Sequence, residues 1–473
     1  MRLRLKDILI FFYLIVSFFL FFNFSVGLSV WLSFFVNFFF LSIIAYHHLY
    51  LEAQYSPFIS AYIVFNYLFF LFAPIIQIGS FEGGEQLFAT NFPYSETTVI
   101  KTNALILIFH FVFYIGYLKL KKKNAVLLIK NNELLERKHI PTAIMLIVLV
   151  VFIVLFIGYN FLIEEISRPS WHLSEFSVPQ LLIYKKVLFV IPLGGVILSY
   201  FYLRRKPKNL SNYVFVIFAL GFFLIALFVF KNPLAEKRNA LGPIYLSLVF
   251  IFFPKLINTN VKSLFILFFS MIVLFPLIQI ITHVEFTFEE IVQTPEIITD
   301  EFAFEKLANT YNTINYDAFS NIGTIIEYVS IHGYSYGYQL LSAALFFVPR
   351  FFWPDKPGPS GKIVGDYLID EYGFTYNNLS NPIVSEGYLN FGVFGVIIAA
   401  IVLAFFIVFF LKWLNRGNEL KKVMAFYFAM HLLFLLRGDL TNGFSYYVGT
   451  LIGVVFIPWL IIKLLSTSVK FKK

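Results

Sequence analysis

Residues 140–162 read IPTAIMLIVLVVFIVLFIGYNFL, a run without a single charged side chain. A bilayer's hydrocarbon core is about 30 Å thick and needs about 20 residues of helix to cross it. This stretch therefore predicts a membrane-spanning helix. Eleven further runs are similarly apolar. Of the twelve in chain order, the eleventh is short, and a very short turn joins the first two. The predicted spans are residues 8–23, 26–45, 57–79, 98–118, 140–162, 179–203, 211–230, 240–257, 263–282, 388–411, 423–436 and 445–464.

The composition agrees with this class. Of 473 residues, 59% are hydrophobic, 21% are aromatic and only 13% are charged, which no soluble globular domain matches. No A-x-A-like cleavage site follows the first apolar run, so we expect that run to be a retained anchor. The predicted fold is all-α and polytopic, with about 12 transmembrane helices.

Several chemistries are excluded by residue type. The chain has no cysteine, which rules out disulfides and thiolate metal sites. Its eight histidines show no metal-ligand spacing, so we predict no metal and no cofactor. The net charge of +9 reports orientation in a bilayer rather than a nucleic-acid partner.

Basic residues set the predicted orientation. An even number of spans puts both termini on one side, and the loops at residues 119–139, 204–208 and 412–422 alternate correctly with the basic termini. With these in the cytoplasm, 24 of the 36 Lys and Arg residues lie inside, as the positive-inside rule requires. We therefore expect a multi-span membrane protein with both termini in the cytoplasm.

The longest predicted outer loop divides the chain. Residues 1–282 hold spans one to nine, residues 283–387 form a large outer loop, and residues 388–473 hold the last three spans and a basic tail. A loop of about 100 residues is usually functional. Helical apolar spacing over Asp317–Gly333 and Tyr336–Phe352 predicts two helices lying along the outer surface.

Six basic residues share the outer depth although they are distant in sequence. Arg and Lys are normally depleted from short outer loops, and the guanidinium fork suits bidentate binding of phosphate. The cluster therefore predicts a bound phosphate or pyrophosphate. Simpler explanations remain open: a lysine that snorkels to the interface, a structural Arg437–Asp439 pair, or a lone anchor at Arg238. The six residues are Lys185, Lys186, Arg238, Arg350, Lys356 and Arg437.

Three carboxylates near the same level are candidate general bases. Glu386 stands where span ten begins, Asp317 opens a predicted helix, and Asp439 follows Arg437. A carboxylate there can accept a proton from a sugar hydroxyl. The alternatives are a helix-end carboxylate favoured by the macrodipole for Glu386 and an N-cap for Asp317.

Aromatic residues are dense in the predicted outer loops. Tyr336, Trp353 and Tyr388 are candidates for stacking on sugar rings, because these rings offer large rigid faces with a polar edge. The alternative is the aromatic belt that membrane proteins place at the interface.

The chain resembles a known family in five motifs. These are GYSYGYQLLSAALFFVPRFFWPDKP (residues 333–357), SEGYLNFGVFGV (385–396), NYDAFSN (315–321), NPLAEKRNALG (232–242) and RGDLTNGF (437–444). Together they are similar to the Wzy-type polymerases of O-antigen and capsule repeat units. The resemblance lies mainly in residues 231–450, and the first half matches only in hydropathy and span number.

The resemblance implies a metal-independent membrane glycosyltransferase. Such an enzyme moves a growing glycan from undecaprenyl pyrophosphate to the non-reducing end of a new lipid-linked repeat unit, on the periplasmic side. Its implied partners are lipid-linked oligosaccharides and membrane lipid, with a chain-length regulator and a flippase as further candidates.

Other functions stay open at this point. An O-antigen ligase typically has a histidine in its large loop, and His283 and His332 are available. A flippase or other transporter would need charges along a central path, whereas the spans are nearly uncharged away from their outer ends. An O-acyltransferase would need an intramembrane histidine such as His110 or His431.

Overall fold

The computed structural model of the protein describes residues 4–79, 94–126, 139–167, 176–207, 209–233, 236, 238–274, 293–294, 296, 311 and 314–470. Over these residues the fold is all-helical, without a strand. In chain order the helices are α1 (Leu5–Phe22), α2 (Leu28–Tyr46), α3 (Pro57–Tyr67), α4 (Ala73–Gly79), α5 (Glu96–Val126), α6 (Ile140–Ile157), α7 (Tyr159–Ser167), α8 (Val178–Leu182), α9 (Ile191–Arg204), α10 (Leu210–Phe230), α11 (Arg238–Phe252), α12 (Asn260–Phe269), α13 (Ala318–His332), α14 (Tyr338–Ala344), α15 (Ser360–Tyr372), α16 (Ile383–Arg416), α17 (Glu419–Arg437), α18 (Leu440–Leu451) and α19 (Ile457–Lys470).

Nine helices in the described part of the chain are long and apolar enough to cross a membrane. Together they account for nine of the twelve predicted spans. The other three fall on shorter or more charged helices, which are Ala240–Phe252, Asn260–Val273 and Glu419–Arg437. A polytopic all-α membrane protein is confirmed, whereas the number of twelve and the orientation stay predictions.

Helix α6 shows why the apolar runs require lipid. One face is buried at three- and four-residue spacing through Ile144, Ile147 and Val151. On the opposite face Phe152 is 65% exposed and Phe156 is 82% exposed. Large exposed apolar side chains are stable there only against hydrocarbon.

The described residues form two compact units. The first comprises those of Met1–Leu128, Ile257–Val408 and Leu432–Gly443. In it α13 packs against α5 and α15, around a core that includes Ile325, Val364, Leu368, Leu379 and Leu389.

The second unit comprises the described residues of Ile129–Leu256, Phe409–His431 and Phe444–Lys473. Helices α6, α9 and α10 pack together in it. Gly195 of α9 permits a close approach, because a Cβ there would lie 2.6 Å from the Phe223 ring of α10. Small residues bring membrane helices together in this way.

The structure has a helix where the first loop helix is predicted, whereas the second predicted helix is too long, and the place of both at the outer surface stays a prediction. Helix α13 matches the prediction over Asp317–Gly333, and it ends at Gly333, whose φ is +78°. The predicted helix at Tyr336–Phe352 is only α14, which ends at Ala344. Pro349 accounts for the shortening, since a proline disfavours the helical conformation of the residue before it and has no N–H to continue the helix. Most of the predicted loop before Asn315 lies outside the described residues.

Candidate functional site

A buried carboxylate and an arginine from distant parts of the chain meet in the first unit. Asp317 precedes α13 and is 4% exposed. The Arg437 guanidinium, at the end of α17, donates from its Nη2 to Asp317 Oδ1 at 3.0 Å. The Arg437 side chain keeps 27% of its surface exposed. The pair therefore places a partly exposed cation beside a buried carboxylate.

Asp317 is held from the segment that leads into α16. Ser380 donates its hydroxyl to Asp317 Oδ1 at 2.7 Å and its backbone N–H to Oδ2 at 3.4 Å. Asn321, one turn into α13, donates to the Ser380 carbonyl at 2.8 Å. The side chain of Asp317 makes no capping hydrogen bond to α13. The N-cap explanation considered for Asp317 is therefore wrong, because Ser380 and Arg437 occupy the carboxylate.

The turn after Arg437 fixes where the guanidinium lies. Gly438 has a φ of +87°, which favours glycine, and a Cβ there would lie 1.7 Å from the Asn381 carbonyl oxygen. Asp439 then caps α18, since its Oδ1 accepts from the backbone N–H of Asn442 at 2.7 Å. Of the two aspartates, it is therefore Asp439 whose side chain caps a helix.

Glu386, in the first turn of α16, lies beside the same turn. It is 3% exposed, and its Oε1 accepts from the Ser360 hydroxyl and, at 2.9 Å, from the backbone N–H of Leu440. Leu440 is the first residue of α18, where unpaired N–H groups and the helix dipole favour an anion. Both hydrogen bonds are made to Oε1, so Oε2 can accept a further hydrogen bond.

The first unit therefore brings together all three predicted carboxylates and one of the predicted arginines. Asp317 and Arg437 are paired, Asp439 is two residues from Arg437, and Glu386 bonds the residue after Asp439. The arrangement offers one positive group for an anionic ligand and one carboxylate oxygen for a proton. Within the described residues, no group of three His, Cys, Asp or Glu side chains is arranged to hold a metal ion.

The loop PRFFWPDKP (residues 349–357), which has a proline on each side of both its cations, holds those cations by other contacts. Lys356 donates to the carbonyls of Leu345, Phe346 and Val348 at 2.8 to 3.1 Å, beyond the end of α14. Burial lowers the pKa of Lys356, and nearby Arg350 lowers it further. Arg350 itself is exposed, with its Nη1 3.5 Å from the Pro354 carbonyl.

The three predicted aromatic residues lie in the first unit. Trp353 donates its indole N–H to the Tyr338 hydroxyl at 3.2 Å. Tyr336 is 78% exposed. Tyr388 lies 6.1 Å, between ring centroids, from Tyr334. None of these contacts tests the predicted role in sugar binding.

The remaining predicted cations belong to the second unit, and two of them are paired there. Lys185 lies 2.5 Å from Glu165 and 3.8 Å from Glu236. Lys186 donates to the Ser445 hydroxyl and lies 4.3 Å from the Tyr446 ring centroid. Arg238 begins α11, but its side chain lies outside the described residues.

Sequence reasoning missed the polar residues that hold these groups. Ser360 and Ser380 position Glu386 and Asp317. The available signal for Ser380 was the polar run before the apolar span, NNLSNP (residues 377–382). In the second unit the missed residue is Lys231, which is 1% exposed and donates to Glu236 at 2.9 Å. Lys231 lies at the outer end of a predicted span, and the same kind of position makes Lys185 a candidate.

One of three comparisons with known proteins gives a match. Residues 367–468 match the family model for O-antigen polysaccharide polymerase Wzy. The matched segment contains Glu386, Tyr388, Arg437 and Asp439, whereas Asp317 and Arg350 precede it. No curated protein and no solved structure matches the chain. The family match confirms the resemblance to Wzy-type O-antigen polysaccharide polymerases, and residues 367–468 carry it.

Proposed function

We propose that the protein polymerises lipid-linked oligosaccharide repeat units at the periplasmic face of the bacterial inner membrane. The growing glycan is transferred from undecaprenyl pyrophosphate to the non-reducing end of a new lipid-linked repeat unit. The observation that carries the proposal is that the segment matching the polymerase family contributes Glu386 and Arg437 to one buried cluster.

The reaction needs one proton acceptor and one stabilised leaving group. The acceptor sugar's hydroxyl oxygen attacks the anomeric carbon of the donor glycan, and the bond from that carbon to the pyrophosphate oxygen breaks. The hydroxyl proton passes to Glu386 Oε2, because Oε1 is held by Ser360 and Leu440. A positioned carboxylate of this kind contributes about 100-fold or more to the rate.

Arg437 stabilises the pyrophosphate as it leaves. A guanidinium has five N–H donors in a rigid fork, and the hydrogen bond to Asp317 fixes the orientation of that fork. Preorganised donors need no rearrangement as charge develops on the leaving group. Asp317 is therefore a positioning residue in this scheme, and Asp439 acts mainly as a helix cap.

The predicted convergence of Arg238, Arg350 and Arg437 on one outward-facing anion site remains part of the proposal. Lys185 and Lys186 are retained as candidate ligands for the same lipid headgroup. Guanidinium groups scattered beyond about 20 Å, roughly two Debye lengths at physiological salt, would contradict a shared site. Crosslinking between cysteines introduced at these three arginine positions measures that separation.

A gene deletion distinguishes the polymerase from its rivals. Loss of a polymerase leaves single repeat units on the lipid core, whereas loss of a ligase leaves long glycan on the carrier lipid. Loss of a flippase leaves repeat units on the cytoplasmic side. We expect the deletion strain to show single repeat units by gel electrophoresis, and restoration of the ladder by the wild-type gene. A ladder unchanged by the deletion would contradict the proposed function.

A further inference from the structure

A second feature of the first unit is a polar pocket that is partly lined by the helix carrying Glu386, α16. Helix α5, helix α13, the loop after α13 and helix α16 surround about 250 Å³. Pockets for drug-sized ligands are larger, at about 300–1,000 Å³, so this volume suits a ligand of about one ring. The lining includes Lys101, Ile326, Glu327, Ser330, Tyr334 and Tyr388. We call it the Glu327 pocket.

The lining combines aromatic faces with groups of opposite hydrogen-bonding character. Glu327 accepts hydrogen bonds, Lys101 donates them, and the hydroxyls of Ser330, Tyr334 and Tyr388 do both. A sugar ring has matching needs, because its hydroxyls donate and accept while its C–H faces pack against aromatic rings. A phosphate would meet the Glu327 carboxylate at close range, and an acyl chain would leave these polar groups without partners.

Glu327 is held in place from outside the pocket. The Tyr372 hydroxyl donates to Glu327 Oε2 at 2.7 Å. A carboxylate fixed by a donor behind it is prepared to bind a ligand in front.

The pocket adjoins the helix that carries Glu386. Helix α16 is kinked at Phe391 and Gly392, and a kink releases carbonyl groups from the helical ladder. The Leu389 carbonyl accepts from Ser335 N–H at 2.9 Å, and the Asn390 carbonyl accepts from Tyr336 N–H at 3.1 Å. The loop that supplies Tyr334 is thus attached to α16 close to Tyr388.

We infer that the Glu327 pocket binds one sugar ring of the glycan, by hydrogen bonds to Glu327 and Lys101 and by contact with Tyr334 and Tyr388. The inference rests on the proposed function and adds to it a position for the saccharide. Tyr388 and Glu386 lie in the same part of α16, so the pocket and the proposed reaction centre share one helical segment, on different faces of it.

Saccharide binding by the purified full-length protein tests the inference. The probe is the repeat-unit oligosaccharide obtained by acid hydrolysis of the host's surface polysaccharide, and saturation-transfer difference NMR reports its binding. Glu327→Gln keeps the side chain's shape and its bond from Tyr372 but removes the charge. Lys101→Met changes an exposed side chain, so it tests the same pocket where Glu327→Gln fails to fold.

We expect each variant to bind the oligosaccharide about tenfold more weakly, the scale of one hydrogen bond to a charged group. Asp370→Asn and Lys362→Met are the matched controls, because both residues are exposed on α15 and neither lines the pocket. Unchanged binding in both pocket variants, or no binding by the wild type, would overturn the inference. The deletion strain's glycan ladder tests the proposed function separately, since the probe does not depend on its result.

Discussion

Two segments each have a basic residue close to an aspartate, PRFFWPDKP (residues 349–357) and RGD (residues 437–439). They differ in what their cations contact. In PRFFWPDKP, Lys356 donates to three backbone carbonyls of its own loop. In the RGD turn, Arg437 donates to a carboxylate, Asp317, from a segment 120 residues away. A cation bonded to carbonyls of its own loop stabilises a local turn, whereas Arg437 joins two segments that are distant in the chain. The comparison supports the proposed role of Arg437 in the reaction and predicts that Lys356 stabilises its own turn.

Arg437→Lys should have the largest effect. Lysine keeps the charge but loses the fork that a pyrophosphate leaving group needs, so we expect polymer formation to fall about 30- to 1000-fold. The measurement is the glycan ladder of the deletion strain carrying the variant at matched protein level. A normal ladder would remove Arg437 from the reaction and leave it as a partner of Asp317.

Glu386→Gln should reduce polymer formation about 100-fold, because the amide cannot accept the hydroxyl proton. The amide oxygen can still accept from Ser360 and Leu440, so the unfolding midpoint of the purified variant should match that of the wild type. A variant that folds normally and still makes a full ladder would move the base to Asp439 or Asp317.

Lys356→Met should act on stability. Three carbonyls lose their donor, and we expect a loss of about 2 kcal/mol in the free energy of unfolding. Thermal unfolding in detergent measures this loss, with Lys362→Met on α15 as the control. Polymer formed per folded molecule should stay within about threefold of the wild type. Loss of polymer without loss of stability would instead give Lys356 the binding role that its sequence context predicted.

Asp439→Asn should have the smallest effect, because Asn and Asp are about equally good N-caps. We expect stability within about 0.5 kcal/mol of the wild type and a nearly normal ladder. Asp439→Ala, which removes the cap, should cost about 1 kcal/mol. An Asn variant that folds normally but makes no polymer would give the carboxylate charge of Asp439 a direct part in the reaction.

The sequence predicts the residue types of the cluster better than their contacts. Glu386, Asp317 and Arg437 were selected because charges at the ends of apolar helices need a reason. Which aspartate caps a helix depends on the backbone at one residue, and the pattern around Asp317 was as suitable as that around Asp439. The contacts of Lys356 were hidden for a similar reason, because the turn that contains Pro349 and Pro354 decides which carbonyls its ammonium group meets.

The long segments were more predictable than the short ones. Uninterrupted apolar runs such as residues 140–162 leave a spanning helix as the stable choice, since every backbone group must be bonded inside lipid. The helix predicted at Tyr336–Phe352 is governed instead by prolines that act on single residues. Helix α15 was not predicted at all, and the Ser360 that begins it holds Glu386.

The kink in α16 has a consequence for lengths along the membrane normal. Its 34 residues would measure about 51 Å as a straight helix, well beyond the hydrocarbon thickness of about 30 Å. The part after Gly392 alone reaches about 36 Å and suffices to cross. The helical turns before the kink are therefore not needed to cross the hydrocarbon, and Glu386 lies on them. A reaction at that level would not require a charged lipid headgroup to enter the hydrocarbon.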